Sequence, residues 1–424
     1  MQANLSADGR PCFLPCVSFA MRAMLMTLAL SFFAAVVVQA QTFMVLHDFT
    51  GGQDGANPFS GLTLDGAGNL YGTTAFGNDN GTVFRLSRRG SEWMLTPLYL
   101  FSIQDGQGPE AGVTIAPDGT LFGTTEFGGS FGQGTVFHLT PQPRVVGGGS
   151  NLWIENKLYS FGPIGDDNGI LPWLGRLVFD GAGNLYGTTS AGGIGPCNEG
   201  CGIVFEATPS AGAFTVNVLY RCTGGADCAT ISSGVIFDSS GRLYGTSLGS
   251  RQMPNGSVYQ LVPSGSGWTE NTIHAFQAGD DGDAPVGGLI IDQAGNLYGV
   301  TGDGGARHGG VVYELTPSGN SWTFTPIYSL AGGAGGGSES SLTMDAAGNL
   351  YGTTVIDGAH HEGSVFKLTH QSDDSWTYTD LHDFSGTDGE VPIGTLAVDA
   401  SGNIFGTTNM GGLHGFGTVF EITP

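Results

Sequence analysis

One phrase recurs seven times in this chain, and it constrains the fold more than any other feature. It reads Gly-Asn-Leu-Tyr-Gly-Thr-Thr or a near variant. Its aromatic-Gly step ends at Gly72, Gly123, Gly187, Gly245, Gly299, Gly352 and Gly406, at spacings of 51, 64, 58, 54, 53 and 54 residues. Periods of this length belong to propeller blades or solenoid coils, in which one repeat cannot bury its apolar face alone.

Each repeat resolves into four strand signals. Strand a is apolar and ends at Asp, as in Gly61-Leu-Thr-Leu-Asp65 and Leu289-Ile-Ile-Asp292. Strand b is Asn69-Leu-Tyr-Gly-Thr-Thr74, and strand c is Gly81-Thr-Val-Phe-Arg-Leu86. Strand d usually opens with Trp and ends aromatic, as from Trp376 to Phe384. These runs are β-branched and aromatic and are bounded by turn residues. Gly72 and its equivalents fall inside strand b, which predicts a close backbone approach and tight packing between blades.

The same period accounts for the composition. Glycine supplies 75 of the 424 residues, about 18% against a usual level of about 7%. No Gly-X-Y run is present, so collagen is excluded. Interior glycine costs about 1 kcal/mol each in a helix, which argues against a helical fold. With 40% hydrophobic and 10% aromatic residues, the chain can bury a core.

The two ends decide between a ring and a solenoid. The last repeat stops at its strand c, Gly417-Thr-Val-Phe-Glu-Ile422, while residues 42–49 are an orphan strand d. Leu46-His-Asp-Phe49 copies Leu381-His-Asp-Phe384. The expectation is an all-β fold, a seven-bladed β-propeller of four-stranded blades. Residues 42–49 would complete the last blade and close the ring without capping units.

Met21 to Ala40 has the form of a signal peptide. Arg22 gives a basic start, Ala23 to Val38 is apolar, and Val38-Gln39-Ala40 is a small-residue end. Cleavage after Ala40 would leave one domain over residues 41–424. Residues 1–20 match neither signal nor domain, and Met21 is an alternative start. The apolar run is shorter than the ~20 residues of a membrane span, so the exported chain is expected to be a monomer outside the membrane.

Charge narrows the partners. Against 37 Asp and Glu stand 13 Lys and Arg, a net charge of −24. Such a chain repels phosphate backbones, which argues against nucleic acid, and it repels anionic membrane surfaces. Four cysteines follow residue 40: Cys197, Cys201, Cys222 and Cys228. In an exported chain they read as two disulfides, with local and crossed pairing both open. Their spacings do not match a zinc ribbon.

The repeated Gly-Asn-Leu-Tyr-Gly-Thr-Thr followed by Gly-Thr-Val-Phe resembles the GloVer tandem repeats of exported bacterial proteins with a choice of anchor. The resemblance covers about residues 42–424 and implies a β-propeller; it carries no known chemistry. Members often end in a surface-sorting segment. The end at Thr423-Pro424 has none, so release or periplasmic residence is expected rather than anchoring.

In a blade of this kind the b–c loops and d–a connections share one face, and function belongs there. His308, His361 and His414 lie in b–c loops of three consecutive blades, where they could serve a ligand, a metal or acid–base chemistry; solvated loop positions are the plainer reading. His47, His274 and His382 occupy the strand-d place of Tyr99, Tyr159, Tyr220 and Tyr328 and read as packing residues. Acidic residues crowd the d–a connections (Asp54, Asp105, Asp281, Asp388), and read as Asp-Gly turns. No EF-hand spacing occurs, so the calcium signal is weak and no cofactor is assigned. Trp173 breaks register just before strand a of the third blade, where other blades hold Phe59, Glu110, Val286, Glu339 and Ile393. An aromatic ring with the carboxylates Glu110 and Glu339 at a propeller mouth can stack on a sugar; a Trp173 plug of the channel is the structural alternative. No nucleophile triad or phosphate loop is visible, and no catalytic or metal-binding residue is assigned. The expected role is an extracellular binding module for a glycan or partner protein. The alternatives are a polysaccharide lyase, hydrolase or lactonase, and a structural surface protein.

Overall fold

The a–b turn shows how each repeat phrase becomes structure. Asp65 ends strand a, and its Oδ1 accepts the N–H groups of Ala67 at 2.9 Å and Asn69 at 2.8 Å. Its Oδ2 accepts from Asn69 Nδ2 at 2.8 Å and from the Tyr71 hydroxyl at 3.2 Å. Asp180, Asp292 and Asp345 repeat the same four contacts. The Asp, Asn and Tyr of the phrase are therefore one clamp on one turn. Burial pushes the Asp65 carboxyl up, but the bonds from Asn69 and Ala67 outweigh it and hold the group below its usual range.

The computed structural model describes residues 41–142, 153–165, 167–210, 213–250, 252–265, 267–332 and 336–424. The segment read as a signal peptide lies outside them. Residues 42–423 form seven four-stranded antiparallel sheets. In blade one the strands are a (Thr63–Leu64), b (Leu70–Thr74), c (Thr82–Arg89) and d (Glu92–Leu100). Strand a is shorter than its apolar run, because the residues before it leave the ladder and line the axis.

Strand b corrects one expectation. A Cβ on Gly72 would stand 2.5 Å from Phe84 Cζ and 2.9 Å from Leu62 Cδ2. Phe84 is the direct cross-strand partner of Gly72 within the same sheet. The glycine therefore makes room for an aromatic ring of its own blade, folded over it, and not for a neighbouring backbone. Gly352→Ala would set a Cβ 2.5 Å from Phe366 Cζ. The expected cost of such overpacking is about 1–3 kcal/mol, read as a lower urea midpoint at constant slope.

Blades four and five place Tyr259 and Tyr313 where the other blades have Phe. Both hydroxyls are buried without a hydrogen-bond partner among the described residues. Tyr259→Phe and Tyr313→Phe are expected to stabilise by about 1 kcal/mol each, read by the same urea titration.

Strand d carries a bulge in every blade. In blade one Val83 pairs with Tyr99 and Phe84 with Pro97, leaving Leu98 as the extra residue. The bulge turns the ring at position 99 toward the following loop.

The core lies between the blades. Seven clusters each draw on two neighbours, for example Tyr71 and Val83 of blade one with Val113 and Phe137 of blade two. One of them joins Leu62, Leu70 and Phe84 of blade one to Phe405 and Val419 of blade seven. The N-terminal strand Thr42–Asp48 is the outer strand of blade seven, antiparallel to Thr418–Thr423. Thr407 Oγ1 of blade seven donates to Ser60 O of blade one at 2.9 Å.

Candidate functional site

One face is built from interlocked loops. The d–a connection of most blades bridges to the b–c loop of the blade it enters, as Gln107 does to Phe127 and Ile170 to Ala191. It also bonds the b–c loop of the preceding blade, as Leu171 N does to Gln133 O at 3.0 Å. The acidic residues here anchor the loops. Asp54, Asp281 and Asp388 share hydrogen bonds with His47, His274 and His382 at 3.1, 3.2 and 3.0 Å. Tyr99 and Tyr220 donate to Asp105 and Asp227 in the same way, at 2.6 and 3.1 Å. The same carboxylates accept backbone N–H groups at the loop start, such as that of Thr223 at 2.9 Å. Strand-d His and Tyr are thus interchangeable partners of one loop anchor, which explains the acidic crowding without a ligand.

The cysteines pair locally, Cys197 with Cys201 and Cys222 with Cys228. Cys201, Cys222 and Cys228 are fully buried in the core between blades three and four. Replacing Cys222 and Cys228 by Ser opens a loop of sequence separation 6. The chain-entropy relation for so short a loop gives a loss of about 2 kcal/mol, read as a lower melting temperature without reductant.

His308, His361 and His414 stay apart on exposed b–c loops. His308 and His361 sit at positive φ, 57° and 62°, as turn residues. Among the described residues no group of three His, Cys, Asp or Glu side chains is arranged to hold a metal.

The axis is different. A cavity of about 220 Å³ runs down it, ringed at the mouth by Phe59, Glu110, Ser232, Val286, Glu339 and Ile393. Most of these follow a proline that packs on a glycine of the preceding blade, as Pro109 does on Gly81. The ring positions of Phe59, Glu110, Val286 and Ile393 are therefore set by the blade interface.

Trp173 lies beside this mouth and donates from Nε1 to Glu110 Oε2 at 3.0 Å. Glu110 is 7% exposed and is hydrogen-bonded to Glu126, a b–c loop residue of its own blade. Burial pushes the Glu110 carboxyl up, and the charge of Glu126 adds to this, to about 8. Burial also raises Glu126. The pair shares a proton, as close carboxyls must. Glu339 lines the same cavity, and burial raises it too.

The channel residue is not Trp173. Leu174 and Arg176 line the cavity from blade three. From the recurring proline to the core leucine or valine of strand a is four residues at Pro58–Leu62, Pro109–Val113, Pro285–Leu289 and Pro392–Leu396, but five at Pro172–Leu177. The added residue displaces Trp173 sideways onto Glu110, while Arg176, directly before the core Leu177, keeps the place that Gly61, Gly112, Gly234, Gly288, Ser341 and Thr395 hold in the other blades. Glu126 and Arg176 carry no signal in the repeat phrase. The sequence sign of Arg176 is an Arg directly before the core leucine, where the other repeats have Gly, Ser or Thr.

Fold and mouth together define a β-propeller with a small axial cavity. Residues 33–195, 173–375 and 231–424 each match the Gloeobacter/Verrucomicrobia repeat. The chain belongs to the Gloeobacter/Verrucomicrobia repeat family. No curated protein matches it. Among solved structures, a protein from Lactobacillus plantarum is similar at 13% identity and a TM-score of 0.51, over 80% of this chain and 88% of that one. One described as a glucose dehydrogenase type of oxidoreductase, from Thermus thermophilus, aligns at 15% identity and a TM-score of 0.44, over 73% and 95%. One described as a gluconolactonase aligns at 10% identity and a TM-score of 0.42, over 91% and 92%. The first of these likenesses shows the fold alone, and nothing further rests on the other two.

Proposed function

We propose that this is an exported binding propeller whose ligand is a glycan, taken at the axial mouth. The observation that carries the reading is the indole of Trp173, held by its N–H edge on Glu110 at 3.0 Å beside the cavity. A half-buried, fixed aromatic ring flanked by hydrogen-bonding carboxyls is the chemistry that stacks and orients a sugar. Two disulfides agree with an oxidising compartment. A glycan array with the purified chain tests this. A hit weakened at least about tenfold, or 1.4 kcal/mol, by Trp173→Ala supports it. A hit unaffected by that change sinks the stacking role, and a partner protein then becomes the better occupant.

The carboxyl pair favours one second reading. A glutamate that keeps its proton at neutral pH can act as a general acid, with its neighbour as the base. The enzyme alternative, a polysaccharide lyase, hydrolase or lactonase, thereby moves from the scattered histidines to Glu110 and Glu126. Turnover of a polysaccharide or lactone that survives Glu110→Gln rules this out.

A further inference from the structure

Arg176 is a half-buried cation without a counter-ion among the described residues. Its side chain is half-buried among the inner strands and lines the axial cavity. The one hydrogen bond it makes among the described residues is Nη2 to Gly61 O, at 3.4 Å. No carboxylate among the described residues lies within ion-pair distance of it, although 37 are present in the chain. Burying a guanidinium in this way is costly unless something pairs with it.

The surroundings leave room for a partner. The throat is lined by small residues, among them Gly61, Gly234, Gly287, Gly288 and Ser341. A Cβ on Gly112 would come within 3.4 Å of Arg176 Nη2, so the guanidinium reaches from blade three across to blades one and two. Glu110 and Glu339 at the mouth repel an anion less than ordinary glutamates, because burial makes each hold its proton to higher pH. The volume of about 220 Å³ is below the roughly 300 Å³ at which drug-sized pockets begin, so it fits the end of a ligand rather than a chain.

We propose that the axial cavity is a carboxylate-binding site with the Arg176 guanidinium as its forked partner, and that the ligand is a uronate at the end of a glycan. The uronate half of this rests on the glycan reading above; the carboxylate half does not. A planar guanidinium matches a carboxylate with two parallel hydrogen bonds. The sugar ring behind the carboxyl would then lie at the mouth, beside Trp173.

Calorimetric titration of the full chain at pH 6 with galacturonate, galactose and acetate separates the possibilities. Galacturonate is expected to bind at least tenfold more tightly than galactose. Arg176→Gln should remove that preference, and Arg176→Lys, which keeps the charge without the fork, should retain part of it. Thermal melts of both variants show whether they are folded, and the lysine variant serves if the glutamine variant is not. Acetate binding that depends on Arg176 without any sugar binding upholds the carboxylate site and removes the glycan. Equal binding of galactose and galacturonate, weakened by Trp173→Ala, upholds the glycan and overturns the carboxylate site. Anion binding unchanged in both Arg176 variants, or no anion binding to the unaltered chain, also overturns it.

Discussion

A chain that begins at Phe49 is expected to lose most of its stability. Deleting residues 42–48 removes six register pairs with the last strand, from Thr42 with Thr423 to Asp48 with Thr418. The strand Thr418–Thr423 becomes an open edge. Phe43 goes with the deletion, and its ring stacks on His382 at 3.6 Å and packs edge-on to Phe384 at 5.9 Å. Asp48 goes too, which accepts the Leu413 N–H at 2.9 Å and so fixes the b–c loop of blade seven. Losing a packed Phe alone costs about 3–5 kcal/mol, against a total of about 5–15 kcal/mol for a domain. The check is a calorimetric melt of the shortened chain with and without a synthetic peptide of residues 41–49. The expected result is a large fall in melting temperature, partly restored as the peptide pairs with the exposed edge. A melt within 2–3 °C of the full chain, by the rough size scaling of such shifts, would show that other contacts hold blade seven to blade one.

What was legible in the sequence was whatever repeats. Seven copies of one phrase gave blade number and strand order, and the orphan strand at residues 42–49 gave its partner by matching Leu381 to Phe384. The function of a repeated residue was less legible than its position. The period puts Gly72 in strand b, but the side chain that fills its space is not in the phrase, because Phe84 reaches it only through sheet register. The d–a aspartates have the sequence of turns, yet their partners His47, Tyr99 and Tyr220 depend on a bulge that adds one residue to strand d. Disulfide pairing stayed open for the same reason: it depends on how two loops lie across a blade interface. Trp173 and Glu110 both stood out as departures from the repeat, and the structure joins them. Arg176 is a further departure, an Arg where the other repeats have Gly, Ser or Thr before the core leucine, and it lies outside the repeated phrase, next to the more conspicuous Trp. Glu126 was hidden because a Glu after Thr125 looks like any solvated loop residue until burial against Glu110 is seen.

Stability is expected to fall as pH rises from about 5 to about 8, and Glu110→Gln is expected to flatten part of that fall. Glu110 has its folded pKa raised from 4.5 to about 8, so between those values the folded state holds a proton that the unfolded state has released. Its contribution is complete below the unfolded pKa and is lost as pH climbs through the folded one. Each pH unit between the folded and unfolded values corresponds to about 1.4 kcal/mol, which makes this pair a large contributor to the pH dependence. Glu155 and Glu270, raised to about 7, and Asp380, raised to about 6, act in the same direction, so the wild-type slope is not due to Glu110 alone. The clamp residues Asp65, Asp180 and Asp345, and Asp238, which holds the same turn in blade four through Ser240, Arg242 and Tyr244, act oppositely. Their carboxyls are held below 3.8, and their support is lost as pH falls through that range. His274 and His382, held below 6.5 by burial, also withdraw stability on the acid side, because the unfolded chain takes up their protons first. The two sets place the maximum in mildly acidic solution. Urea titrations at pH 5, 6, 7, 8 and 9 measure the slope, and the difference between the unaltered chain and Glu110→Gln isolates the shared proton. A slope identical in the two would mean that Glu110 titrates as an ordinary glutamate, and the acid role considered for it would go with it.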